Sequence, residues 1–189
     1  ILISVITVAN VASAAVFVTQ LEQPIPAAKR GLEIARAAGV TTILNPAPAA
    51  TLSDDILALC DYVTPNESET ESLTGLPVTT VAEAETAADA LLAKGVGAVI
   101  ITLGDKGALY RDRTRSVHVP VISAGPVVET TGAGDAFNGG FAVALSEGRD
   151  VVEAVRFGCA TAGISVTRAG TAPSMPSRTE IETLLAKGA

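Results

Sequence analysis

Zinc centres and disulfide frameworks need clustered cysteine and histidine, and this chain has almost none. Cys60 and Cys159 stand far apart, no Cys-x-x-Cys pair occurs, and His118 is the only histidine. The expectation is two buried thiols in a reducing cytosol, each packing as a small hydrophobe. Basic side chains are also scarce: 13 Lys+Arg against 20 Asp+Glu give a net charge of -7. Such a surface repels a nucleic-acid backbone, so a small phosphorylated ligand has to be held locally. A long hydrophobic run is missing too. The most apolar terminal stretch, Ile1 to Val8, is interrupted by Ser4 and Thr7 and falls far short of the ~20 residues that span a bilayer. It lacks the basic leader of a signal peptide. Neither a membrane nor a nucleic acid is therefore an expected partner, and the expected compartment is the cytoplasm. The chain starts on Ile inside a β-branched run, which reads as the interior of a protein and predicts further sequence upstream.

What is present is enough apolar residue for one core. The 189 residues are 48% hydrophobic and 17% charged, which predicts a single globular domain over 1–189. Short β-rich runs alternate with longer Ala-rich ones. Ala15 to Thr19 precedes a helical Pro26 to Ala38, and Thr41 to Leu44 precedes a helical Ser53 to Leu59. Tyr62 to Thr64 then precedes a helix over Val81 to Lys94, closed by Gly95. That alternation predicts βαβ units and the α/β class, with a largely parallel sheet. The run Ala98 to Thr102 suits a strand buried on both faces. Gly107 to Tyr110 and Val117 to Val119, separated by the charged Arg111 to Arg115, predict an antiparallel pair at one sheet edge. Helices over Gly132 to Ser146, Asp150 to Thr167 and Ser177 to Lys187 close the chain.

In open α/β sheets ligands bind beyond the carboxyl ends of the strands, so the loops there are the places to search. The most informative is Glu129-Thr130-Thr131-Gly132-Ala133-Gly134-Asp135-Ala136-Phe137-Asn138-Gly139-Gly140. Small residues opening a helix let backbone amides approach an anion closely. An aspartate in the first turn is favoured in its ionised form by the helix dipole and can accept a proton from an attacking hydroxyl. A tight turn with a capping aspartate explains the isolated Gly-Ala-Gly-Asp as well. No Gly-x-x-x-x-Gly-Lys-Ser/Thr occurs, and Phe137 occupies the place of a dinucleotide fingerprint's third glycine, which argues against a Rossmann dehydrogenase.

Four further loops carry weaker signals. Thr64-Pro65-Asn66-Glu67-Ser68-Glu69 offers carboxylates suited to hydrated Mg²⁺, or simply an acidic first helical turn. Thr102-Leu103-Gly104-Asp105-Lys106-Gly107 leaves the most apolar strand and reads equally as a hairpin turn. Arg168-Ala169-Gly170-Thr171-Ala172-Pro173-Ser174 has the chemistry of a helix stop, with carbonyls able to ligate a cation. Gln20 to Pro24 and Asn45 to Ala49 are proline-bearing loops after strands.

Taken together, the Glu129 to Gly140 segment resembles the second signature of the PfkB carbohydrate kinases, and the other four loops follow in the order of the ribokinase-like branch. The match runs from about Ala14 to the C-terminus, while residues 1 to 13 fit poorly. The resemblance implies a three-layer α/β/α fold. It also implies ATP as phosphoryl donor, Asp135 as catalytic base, and an anion hole at Gly132, Ala133 and Gly134. It places Asn66 by the nucleotide phosphates, Glu69 in the outer shell of Mg²⁺, and Thr102, Gly104, Gly107, Gly134 and Cys159 along the nucleotide. Glu22, Glu129 and Asp135 are implied near the sugar. A monovalent cation, typically K⁺, is implied beside the anion hole at Glu129, Thr131, Ser165, Arg168, Gly170 and Ser174, several through main-chain oxygens. Two positions depart from the pattern: Glu129 replaces the usual Asp, and Cys159 stands where Asn or His is expected. A complete ribokinase-like enzyme has an N-terminal portion supplying sugar contacts and a β-sheet lid, through which it often forms a homodimer; that portion is not seen in this sequence. The implied activity is phosphorylation of a small sugar at a hydroxyl, with D-ribose to ribose 5-phosphate first. Fructose, a keto-deoxy sugar, a nucleoside or a vitamin alcohol are alternative acceptors, and a catalytically incomplete nucleotide-binding fragment is the alternative for the chain itself.

Overall fold

The computed structural model describes residues 8–187. The expectations for most of Ile1 to Val8 therefore lie outside the described residues, among which no helix is long and apolar enough to cross a membrane. The elements are α1 (Val8–Ala12), β1 (Val16–Thr19), α2 (Ile25–Ala37), β2 (Thr41–Leu44), α3 (Asp54–Leu57), β3 (Tyr62–Val63), α4 (Glu67–Thr74), α5 (Val81–Ala93), β4 (Ala98–Thr102), β5 (Ala108–Arg111), β6 (Ser116–Val119), α6 (Ala133–Ser146), α7 (Val151–Ser165) and α8 (Arg178–Lys187). Among the described residues the strands form one sheet in the order β1-β2-β3-β4-β5-β6. The first four are parallel, with Val16 opposite Thr41, Ile43 opposite Tyr62 and Val63 opposite Val99. The links after β4 and β5 are too short for a parallel crossover, which takes about a dozen residues, so the chain doubles back there as expected.

The chain divides into two compact units. The first holds the described residues up to Ile101 together with Leu109–Ser116; the second holds Thr102–Ala108 and the chain from Val117 onward. In the first, the core is Leu32, Ile43, Leu44, Leu57, Val63, Leu91, Val99, Ile100 and Ile101, all fully buried. The continuous apolar run of β4 and the Ala-rich face of α5, with Ala84, Ala87 and Ala88 buried, are two sides of that packing. In the second unit α6 and α7 lie side by side around Phe141, Phe157, Ala144 and Ala160.

Three local expectations are refined. The β-branched start contains a short helix, α1, because Val11 packs with Ile34, Ala35 and Val40 against Phe17; that burial overrides the weak helix propensity of valine. The helix expected over Ser53 to Leu59 is a single turn, since Leu59 and Cys60 donate to Ile56 and Leu57 in tight i→i−3 bonds that steer the chain into β3. After β4, a 3₁₀ turn at Gly104–Lys106 makes the reversal, and the Leu103 amide donates to the Gly107 carbonyl at 2.8 Å.

Candidate active site

The second unit carries the loop that the sequence singled out. Gly132 sits in the left-handed region, with φ 80° and ψ 4°, and opens α6 without any side-chain cap. Its glycine is demanded by that backbone, and a Cβ would also stand 3.4 Å from Thr171. The Ala133 amide donates to the Thr130 carbonyl at 3.1 Å. Gly134 differs from both. It has no positive φ, and a Cβ there would meet nothing within 4 Å, so neither backbone nor packing requires glycine. It lies in the first turn of an uncapped helix, where amides lack intrahelical acceptors, and Asp135 follows it on the exposed surface. An anion could approach this backbone to contact distance beside a carboxylate.

The candidate cation residues gather behind this turn. Val128 and Glu129 both donate their amides to the Val166 carbonyl, at 2.7 and 3.2 Å. The Glu129 carboxylate accepts from the Gly170 amide at 2.7 Å. That bond and one from the Thr131 hydroxyl hold the carboxyl below the usual range. Ser165 and Ser174 are buried, with their hydroxyls donating to the Ala162 and Thr171 carbonyls at 2.9 and 2.7 Å. The Arg168 guanidinium pairs with Glu180, so the contribution left to Arg168 is its main chain. Hydroxyl and carbonyl oxygens without thiolate or imidazole form a donor set that fits a hard cation. No group of three or more His, Cys, Asp or Glu side chains gathers among the described residues.

Of the implied nucleotide contacts in this unit, Thr102 and Gly107 are half-buried and Gly104 is exposed. Gly107 has an internal reason to be glycine: a Cβ would fall 2.1 Å from the Val119 carbonyl oxygen. Lys106 is exposed, and its carbonyl lies 2.7 Å from His118 Nε2. Cys159 is buried on α7, where burial pushes its thiol up to about 12, so it is a neutral, apolar group.

The first unit holds Glu22, Asn66 and Glu69. The loops after β1, β2 and β3 leave from one edge of the parallel strands. Their ladder continues past the strand ends, the Asn45 amide donating to Thr19 and the Thr64 amide to Leu44, both at 2.9 Å. Glu22 is exposed beyond β1. Asn66 and Glu69 form a reciprocal capping box at the start of α4: the Glu69 amide donates to Asn66 Oδ1 at 2.8 Å, and the Asn66 amide to Glu69 Oε2 at 2.9 Å. Burial raises the Glu69 carboxyl, against the Asn66 amide bond that lowers it. At the opposite, amino-terminal edge lies an open cavity of about 580 Å³ lined by Arg36, Thr41, Asp61, Tyr62, Ala98 and Tyr110. It holds none of the candidate residues. Its polar groups are engaged within the protein: Arg36 with Asp61 at 2.9 Å, Asp61 with the Thr42 amide at 2.9 Å, and Tyr110 with Asp112 at 2.6 Å.

Two supporting features were not assigned from sequence. Asn138 is buried and donates its side-chain amide to the Gly134 carbonyl at 2.9 Å, bracing the first turn of α6. The signal was present, since Asn138 falls within the motif one helical turn after Gly134. Gly140 and Gly158 let α6 and α7 approach closely: a Cβ at Gly140 would lie 2.3 Å from Thr161 Oγ1, and one at Gly158 2.9 Å from the Phe137 ring and carbonyl.

Residues 5–178 match the model of the pfkB family carbohydrate kinases. The chain is 43% identical over 172 residues to a ribokinase of Haemophilus influenzae, covering 91% of this chain and 56% of that protein. It is 42% identical over 161 residues to a deoxyribokinase of Salmonella typhi, covering 85% and 52%. The structure of Arabidopsis thaliana ribokinase complexed with ribose and ATP superposes with a TM-score of 0.91 at 33% identity, covering 94% of this chain and 58% of that one. The three-layer α/β fold is thus the one shared with the ribokinases. The chain spans about half the length of the curated relatives it matches.

Proposed function

Because this chain belongs to the pfkB family of carbohydrate kinases, we propose that it is the nucleotide-binding and catalytic part of a cytoplasmic enzyme that phosphorylates a sugar hydroxyl with ATP. D-Ribose, giving ribose 5-phosphate, is the first acceptor. The observation that carries this reading is Gly134: a glycine the fold does not need, in an uncapped first helical turn, next to the exposed carboxylate of Asp135.

In this mechanism Asp135 accepts the proton of the acceptor hydroxyl as its oxygen bonds to the γ-phosphorus. The bond from that phosphorus to the bridging oxygen of ADP breaks, and the electron pair leaves with ADP. The first-turn amides at Gly132 to Gly134 stabilise the negative charge on the transferring group, an interaction strongest where water is excluded. Thr102, Gly104 and Gly107 line the nucleotide, with Cys159 as an apolar neighbour of the base. Asn66 would serve the phosphates, and Glu69 would hold hydrated Mg²⁺ from its outer shell. Glu22 and Glu129 serve the sugar side. Glu129, Thr131, Ser165, Arg168, Gly170 and Ser174 would hold K⁺, several of them through main-chain oxygens. When bound, the two cations neutralise phosphate charge and rigidify the loops around it. In the complete protein a homodimer is the proposed assembly.

The similarity to a deoxyribokinase adds 2-deoxyribose to the acceptors. The coverage of about half of each relative favours a second reading, that the 189 residues alone bind nucleotide without turnover, because orienting the sugar takes groups they do not supply. One experiment separates these: ATP-dependent phosphorylation of a ribose, deoxyribose and fructose panel, with Mg²⁺ and with or without K⁺, alongside Asp135→Asn. Ribose turnover that falls by about 10²-fold or more in the variant supports the kinase reading. Turnover that survives Asp135→Asn refutes the assigned base, and nucleotide binding without turnover selects the fragment reading.

A further inference from the structure

One side chain ties the loop entering α6 to the loop leaving α7. Glu129 Oε2 receives the Gly170 amide at 2.7 Å across 41 positions of sequence. Gly170 presents that amide from a left-handed backbone, with φ 84°. Alongside, Val128 and Glu129 both donate to Val166, and Gly132 abuts Thr171, so the two segments run against each other as far as the start of the helix that bears Asp135. The length of the side chain matters. Aspartate, the residue usual at this place in the resemblance noted above, would withdraw the carboxylate by one carbon–carbon bond, roughly 1.5 Å. The 2.7 Å bond would open beyond hydrogen-bonding reach unless the loops moved.

We propose that Glu129 is a positioning residue whose carboxylate staples these two loops, holding the Gly132 to Asp135 turn in place, while its main-chain oxygen remains available to a cation. The consequence for catalysis rests on the function proposed above; the staple itself does not.

The test is amide hydrogen exchange at Gly170, followed by NMR in the full 189-residue chain without ligands, for the parent, Glu129→Ala, Glu129→Asp and Glu129→Gln. Gly170 protection is expected to fall about tenfold or more in Ala and in Asp, the loss of one charge-assisted bond. Gln keeps length and an acceptor oxygen, so it falls less. Leu32, in the core of the other unit, should exchange as in the parent, which separates a local release from global unfolding. Unchanged Gly170 protection in Glu129→Ala overturns the staple, and parent-like protection in Glu129→Asp overturns the argument from length. In the phosphotransfer assay, Glu129→Ala should lower kcat with little change in KM for ATP; an unaltered kcat overturns the positioning role. If the parent chain binds nucleotide but transfers no phosphoryl group, the fragment reading above is selected, and the Gly170 measurement still decides the staple.

Discussion

Three glycines on α6 should answer the same substitution in three different ways. Gly139 is exposed, and a Cβ there would meet nothing within 4 Å. Glycine in an exposed helix interior costs about 0.5–1 kcal/mol relative to alanine, so Gly139→Ala should stabilise the protein by that amount. At Gly140 the gain is overwhelmed. The added carbon would lie 2.3 Å from Thr161 Oγ1, 2.9 Å from Thr161 Cβ and 3.2 Å from Gly158 Cα. Thr161 cannot swing away easily, because it is buried and its hydroxyl donates to the Phe157 carbonyl at 2.7 Å. Overpacking of this kind costs about 1–3 kcal/mol, which sets the separation between the two alanine variants. For a chain of this length that is roughly 2–12 °C in Tm. Gly134→Ala fits the fold and should leave Tm within a few degrees of the parent, yet it places a methyl where the phosphoryl group is to approach and should suppress phosphotransfer. Thermal unfolding followed by circular dichroism, with the kinase assay, reads all three. A Gly140→Ala that melts at or above Gly139→Ala refutes the close packing of α6 on α7. A Gly134→Ala with parent activity refutes the reason given for that glycine.

Asn66 has a structural duty as N-cap that Ser can also perform, whereas Ala should cost about 1 kcal/mol. Asn66→Ser should therefore keep the parent Tm while raising KM for ATP; an unchanged KM limits Asn66 to capping. Glu180 is held down to about 2 by the Ser177 amide and the Arg168 guanidinium, against an ordinary 4.5. Its folded value is depressed, so its stabilisation is present above pH 4.5 and lost as pH falls towards 2. The difference in urea midpoint between the parent and Glu180→Gln should shrink between pH 5 and pH 3, and a constant difference refutes the pairing. We also propose that residues 1–189 unfold as one domain. Cys60 lies in the first unit and Cys159 in the second, both with thiols pushed up to about 12 by burial. Both should become labelled by a thiol reagent at the same denaturant concentration, and two separate midpoints refute a single domain.

The sequence was most legible where local chemistry decides. Thr41–Leu44 and Ala98–Thr102 are strands over the spans predicted from their apolar, β-branched runs. The end of α6 falls on Ser146 as expected, and α7 begins after Asp150, whose side chain accepts from the Val152 amide as an N-cap does. What stayed hidden depends on residues distant in sequence. The bond from Gly170 to Glu129 and the near-contact of Gly107 with Val119 leave no local pattern. Val11 reads as a strand former until Ile34 and Val40 are brought against it. The capping box at Asn66 was readable in part, as an acidic first turn, but the reciprocal bond depends on the folded backbone around Asn66 and Glu69.

A residue informs about function in proportion to how little the fold itself explains it. Gly132 is explained by its left-handed backbone, Gly107 by the Val119 carbonyl, Gly140 by Thr161, and the Asn66–Glu69 pair by the helix it caps. Each would be kept by a protein with no ligand at all. Gly134 has no such explanation, and neither does Gly139. The two differ in position: Gly134 stands in the uncapped first turn beside Asp135, where backbone amides face outward, and Gly139 stands inside the helix, where they are consumed. If a phosphoryl group is what Gly134 makes room for, alanine is tolerated by the fold at both sites and by the chemistry at only one.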